Sequence, residues 1–153
     1  MLALKLIPLA LIVLVIIYLA GLSFLTRHDQ IKTADQRHLQ PCPQTPNCVI
    51  SNAIKSKQSI APFELIQDTP AHSWQLLIQA IEHQGGTILL EDEHYLHAIF
   101  SSTLFRFRDD LEAVLKEDRI DVRSASRAGK SDFGQNRKRL EKIRAHYISI
   151  GQS

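Results

Sequence analysis

Residues 105–126 read FRFRDDLEAVLKEDRIDVRSAS, and whether the first half is strand or helix decides the architecture. Alternation puts Phe105, Phe107, Leu111, Ala113 and Leu115 on one face and Arg106, Arg108, Asp110 and Glu112 on the other, as a half-buried strand requires. Within it, DDLEAVLKED carries a helical N-cap signal and spaces Leu111, Val114 and Leu115 for a helix. Alternation covers more residues, so strand is the expectation. Ile120 to Arg127 then reads as a second strand with Ile120 and Val122 inward, which places Arg123 and Arg127 on one face and Ser124 and Ser126 on the other.

Working outward, Gly86–Glu91 and His94–Ser102 read as a hairpin turning at Asp92-Glu93. In its second strand Leu96, Ala98 and Phe100 oppose Tyr95, His97 and Ile99. Before the hairpin, Thr69-Pro70 supplies an N-cap and a first-turn proline, Trp74, Leu77, Ile78 and Ile81 form one apolar stripe, and Gly85-Gly86 stops the helix. A last helix, beginning near Asp132, is marked by Leu140, Ile143 and Tyr147. The expectation is an α+β domain: an antiparallel sheet of about four to five strands in β-α-β4-α order. Both helices should cover one face, leaving the other for a ligand or partner.

Ahead of this domain, Leu6–Leu25 is a run of 20 residues without a charge, long enough for a hydrocarbon core of roughly 30 Å. It lacks the A-x-A exit of a cleaved signal, and no cysteine follows closely enough for a lipid anchor. The organisation expected is therefore a transmembrane anchor over 1–26, a polar linker over 27–40 and a soluble domain over 41–150. Lys5 before the run against Arg27, Lys32 and Arg37 after it favours a cytoplasmic domain by charge. The cysteines favour the opposite side. Cys42 and Cys48, the two in the chain, lie in the proline-stiffened segment PCPQTPNC and read as a disulfide. Closing so short a loop contributes about 2 kcal/mol. Zinc is the competing reading, with poor C-x5-C spacing. The disulfide places the domain in the periplasm, on a single-pass protein of a bacterial inner membrane.

The net charge of +2 conceals an asymmetry: between Arg123 and Arg144 eight basic residues face two acidic ones, leaving −4 for the remainder. That basic third suggests an anionic partner. Candidate ligand-binding residues are Arg123, Ser124, Ser126, Arg127, Asp132, Asn136 and Arg137, because guanidinium forks beside a glycine turn and a helix start suit phosphate or carboxylate. The plainer reading is a brace, with Arg123 or Arg127 paired to Asp109 or Asp110 on the next strand. Catalytic signals are thin. His97, Ser124 and Asp109 supply the residue types of a small hydrolase, but no G-x-S-x-G elbow, H-E-x-x-H, paired C-x-x-C or P-loop is present. No cofactor, catalytic residue or metal site is expected, and nucleic acid is disfavoured because the basic helix lacks an aromatic platform. The partners expected are the membrane, an anionic small molecule or lipid headgroup, and an envelope protein.

Three blocks, CPQTPNCVIS, HAIFSSTLFRFRDDLE and RIDVRSASRAGKSDFGQNRKRLEKIR, resemble the domain-of-unknown-function family DUF1499, in order from Cys42 to Arg144. The match is carried by Cys42, Pro43, Pro46, Asn47 and Cys48, by Phe105, Arg106, Phe107, Asp109 and Asp110, and by Arg123, Ser124, Ser126, Arg127, Gly129, Ser131, Asp132, Gly134, Asn136 and Arg137. The resemblance implies no reaction. It supports strand over Asp109–Leu115, although Glu112-Ala113-Val114-Leu115 departs toward helix formers, and it implies exported or anchored bacterial proteins and plastid proteins. The leading expectation is a non-enzymatic, membrane-anchored envelope domain binding an anion through the Arg/Ser/Asn/Asp cluster. The alternatives are the small hydrolase and a structural envelope-assembly protein.

Overall fold

The structure, a computed structural model, describes residues 2–26, 28–29, 32–53, 56–66 and 69–152. Arg27, used above for orientation, lies outside them, as does the side chain of Lys5.

The contested stretch is strand. Its elements in chain order are helix α1 (Leu2–Leu25), strands β1 (Cys48–Ile50) and β2 (Phe63–Glu64), helix α2 (Pro70–His83), strands β3 (Thr87–Glu91), β4 (Tyr95–Ser101), β5 (Arg108–Leu115) and β6 (Arg119–Ser126), and helix α3 (Gln135–Gly151). All pairings are antiparallel, in the order β1-β6-β5-β4-β3 with β2 also on β6. β5 is central, with Leu111 opposite Ala98 on one side and Ser124 on the other. Two full ladders and a buried face outweigh the helix propensity of Glu112–Leu115, which is worth only tenths of a kcal/mol per residue.

Two expectations are corrected. The sheet has six strands rather than four or five, because β1 and β2 share one edge of β6: Val49 pairs with Ser124 and Phe63 with Ile120. A three-residue and a two-residue strand are too short to leave a period of two in the sequence. β5 also begins at Arg108, not Phe105. The Ser102 backbone N–H donates to the Phe107 carbonyl and its hydroxyl accepts from the Phe107 N–H, so residues 102–107 form the turn.

Both helices lie on the same sheet face. Leu96, Ala98, Phe100, Leu111, Ala113, Ile120 and Val122 pack there against Trp74, Leu77 and Ile81 of α2 and Leu140, Ile143 and Tyr147 of α3, all buried. Thr69 caps α2, its hydroxyl accepting from the His72 N–H at 3.4 Å, and Gly85 ends the helix at φ 84°. Gly86 is required by packing: a Cβ would fall 2.6 Å from an Ile81 methyl and 2.8 Å from the Phe100 ring.

α1 is helical over 24 residues. The transmembrane anchor expected over 1–26 finds no support in it: among the described residues no helix is long and apolar enough to cross a membrane. Cys42 and Cys48 form a disulfide with Cα atoms 5.7 Å apart, which removes both sulfurs from any metal. The described part of the linker is not a loose spacer. It crosses the sheet face opposite the helices, where Asp29 pairs with Arg108 and Arg127, Lys32 with Glu112, and Arg37 with Asp92. Ion pairs need no hydrophobic period, so this strap is silent in a pattern reading.

A polar pocket between strap and sheet, and a brace behind it

Alternation in three adjacent strands sends Tyr95, His97, Asp110, Glu112, Arg123 and Arg127 to the strap side of the sheet. Glu112 stands directly opposite both His97 and Arg123 in the ladders. It is buried, yet it accepts from the Tyr95 hydroxyl at 2.5 Å, from Arg123 Nη1 at 2.9 Å, and from Lys32. Burial, followed by that hydrogen bond to a carboxylate, pushes the Tyr95 phenol well above its ordinary range. Asp110 accepts from His97 Nε2 at 2.7 Å and takes a bidentate fork from Arg127 at 2.6 and 2.9 Å. Arg127 spends its remaining nitrogen on Asp29 Oδ1 at 2.9 Å and on the carbonyls of Thr26 and His28.

These groups and the strap enclose a cavity of about 470 Å³, lined by His28, Lys32, Gln36, Gln40, His97, Asp110, Glu112, Arg123 and Arg127. Two polar atoms of its lining residues, His97 Nδ1 and Arg123 Nε, are buried without a partner among the described residues, a state that costs about 1–3 kcal/mol per group. Ile99 and Ala125 are buried beneath the strap, so this face presents charge rather than an apolar patch.

The candidate cluster is divided by the sheet. Arg123 and Arg127 belong to the pocket. Ser124 and Ser126 lie on the helix side, where the Ser124 hydroxyl donates to Asn136 Oδ1 at 2.5 Å and the Ser126 hydroxyl accepts from Asn136 Nδ2 at 3.0 Å. Asn136, fully buried, also donates to the Asn47 carbonyl at 3.1 Å and accepts from Arg139 at 2.8 Å, while Arg139 pairs with Asp109 at 2.5 Å. Asp132 accepts from the N–H groups of Gly134 and Asn136 at 3.0 and 2.8 Å, occupying the start of α3. Arg137 points elsewhere, to the carbonyls of Lys57 and Ser59 at 2.9 and 2.7 Å. Three of the seven expected residues, Ser124, Ser126 and Asn136, thus form a polar brace joining the start of β1, β6 and α3.

His97, Ser124 and Asp109 do not meet: His97 faces the strap with Asp110, whereas the other two face α3. Among the described residues no group of three or more His, Cys, Asp or Glu is placed to hold a metal ion. Reading the sequence missed Glu112 and Lys32 in the pocket, Tyr95 behind Glu112, and Arg139 in the brace. Glu112 was findable, since alternation puts a carboxylate in the middle of a strand beside two arginine-bearing positions.

The arrangement predicts an acid response. Burial would raise the Asp110 carboxyl, but hydrogen bonds from His97 and Arg127 and the charge of Arg127 outweigh it and bring it from 3.8 to about 2. A carboxyl depressed by folding contributes stability that is complete above its ordinary value and lost as the pH falls through the folded one. Unfolding free energy should therefore drop by about 2 kcal/mol from this group between roughly pH 4 and pH 2. Acid titration of the parent beside Asp110→Asn checks this: equal acid slopes in the two proteins would contradict it.

A model of the family described as "Protein of unknown function (DUF1499)" matches residues 38–146. The match covers well over half of the chain, including the brace and the sheet side of the pocket but not His28, Lys32 or Gln36 of the strap, and the chain belongs to this family. No curated protein and no solved structure matches.

Proposed function

We propose that this DUF1499 domain is a non-enzymatic, membrane-anchored module of the bacterial envelope that binds a small anion on the strap side of its sheet. The observation that carries the reading is the pocket's unfinished polarity. Its lining holds three cationic side chains, Lys32, Arg123 and Arg127, against two carboxylates, Asp110 and Glu112. The lining residues His97 and Arg123 each retain a buried nitrogen without a partner among the described residues. A carboxylate or phosphate supplies the missing charge and accepts from guanidinium and ammonium groups. Arg127 is saturated, so Lys32 and Arg123 are the contacting cations, with Arg127 holding Asp110 in place. The Ser/Asn cluster behind the sheet has its hydrogen bonds satisfied internally and is not part of this site.

Anchoring rests on the uncharged run Leu6–Leu25, whose length suits a bilayer core. A periplasmic setting is supported by the Cys42–Cys48 disulfide, which persists where the surroundings are oxidising.

Titration calorimetry of the detergent-solubilised chain with inorganic phosphate and a series of small carboxylates tests the binding. One ligand per chain is expected, with affinity falling as salt rises. Arg123→Gln should weaken it about tenfold or more, the loss of one charge-assisted hydrogen bond, whereas Arg137→Ala should leave it unchanged. Absence of binding across the series, or equal affinity in Arg123→Gln, would refute the reading.

A further inference from the structure

Among the described residues outside α1, the large apolar side chains most open to solvent are Phe133 at 87 % and Leu104 at 81 % exposed, with Ile148 next at 41 %. An exposed Phe or Leu alone means little, but these two share one end of the molecule. Leu104 lies in the β4–β5 turn and Phe133 in the β6–α3 loop, and the strands bearing them converge there: Ser101 pairs with Arg108 and Asp109 with Ser126. A second observation is conformational. Among the described residues only two non-glycine residues have a left-handed backbone, Arg106 at φ 55° and Phe133 at φ 52°, one in each loop. That region is costly for a side chain with a Cβ, most of all a bulky one, and such strain concentrates where a segment is held for a purpose.

The third observation is position. Phe107 and Phe133 line the same groove of about 360 Å³ as Leu19 and Leu22, in the last turns of α1. The loops therefore sit level with the end of the helix read above as the membrane anchor. Exposed Arg106 and Lys130 flank the two apolar tips, the combination that suits the boundary between acyl chains and anionic headgroups.

We propose that the β4–β5 turn and the β6–α3 loop dock into the bilayer interface beside α1, with Leu104 and Phe133 inserted among the lipids and Arg106 and Lys130 at the headgroups. This goes beyond anion binding and rests on the anchor reading. Docking fixes the domain's tilt, holding the sheet's opposite end, with the β5–β6 turn at Glu117 and Asp118, away from the membrane.

The test uses the full chain reconstituted in vesicles containing anionic phospholipid, with an environment-sensitive fluorophore on Leu104→Cys, Phe133→Cys or, as reference, Asp118→Cys. The native cysteines are disulfide-bonded and do not compete for the label. Brominated lipids should quench the labels at 104 and 133 at least about twofold more strongly than the label at 118, as expected for side chains buried in the interface. Either tip position suffices if the other substitution impairs folding. A chain that resists alkaline extraction but is quenched equally at all three positions overturns docking alone. A chain released by alkaline washing overturns the anchor and docking together.

Discussion

Asn136→Leu is expected to remove about 3–4 kcal/mol of stability, among the largest losses any single substitution causes here. The leucine has the same branched shape and is the larger side chain, so the effect is not a cavity. It leaves the Ser124 hydroxyl without its acceptor and the Ser126 hydroxyl without its donor, removes one of the two N–H donors to the Asn47 carbonyl, and takes from Arg139 one of its three polar partners. Apart from Arg139, these groups lie where water hardly reaches: Ser124 and Asn136 are 0 % and Asn47 5 % exposed. Chemical unfolding followed by Trp74, the single tryptophan and itself buried, measures the loss. Arg137→Ala, one residue along α3, removes two surface contacts to carbonyls and should cost about 1 kcal/mol or less. Similar losses in the two variants would contradict the division of the cluster into brace and surface.

Glu112→Ala is expected to be as severe, about 3–5 kcal/mol, for an electrostatic reason. The carboxylate is 2 % exposed and gathers Tyr95, Lys32 and Arg123. Lys32 can return to solvent, its side chain being 21 % exposed, but Arg123 at 15 % is left charged, largely buried and short of its carboxylate. Buried pairs replaced on both sides by apolar groups are often near neutral. The double variant Glu112→Leu with Arg123→Met should therefore recover much of what Glu112→Ala loses. A double variant no more stable than Glu112→Ala would show that the cost lies in packing rather than in an uncompensated charge.

The parts of this molecule legible in its sequence are those with a local period. Alternation assigned the two faces of β4, β5 and β6 residue by residue, and the Trp74–Ile81 stripe with its Thr-Pro start placed α2. The same alternation already separated Arg123 and Arg127 from Ser124 and Ser126. Treating them afterwards as one cluster set nearness along the chain above the side of the sheet. The strap was not legible because its contacts are ionic and distant, Lys32 reaching Glu112 across 80 positions. β1 and β2 were too short for a pattern. Arg139 read as one more charge of a basic helix, because only the packed structure brings it to Asp109 and over the Phe100 ring, 4.5 Å from its centroid.

The central claim is that an anion binds beneath the strap, on the side of the sheet away from Ser124 and Asn136. Backbone hydrogen exchange with and without saturating phosphate, or whichever carboxylate binds in calorimetry, locates it. The pocket predicts slower exchange in the strap around residues 32–40 and in β4 to β6, with residues 129–136 unchanged. Protection confined to 129–136 would place the ligand at the glycine turn and the start of α3, and would contradict the assignment of that cluster as an internal brace.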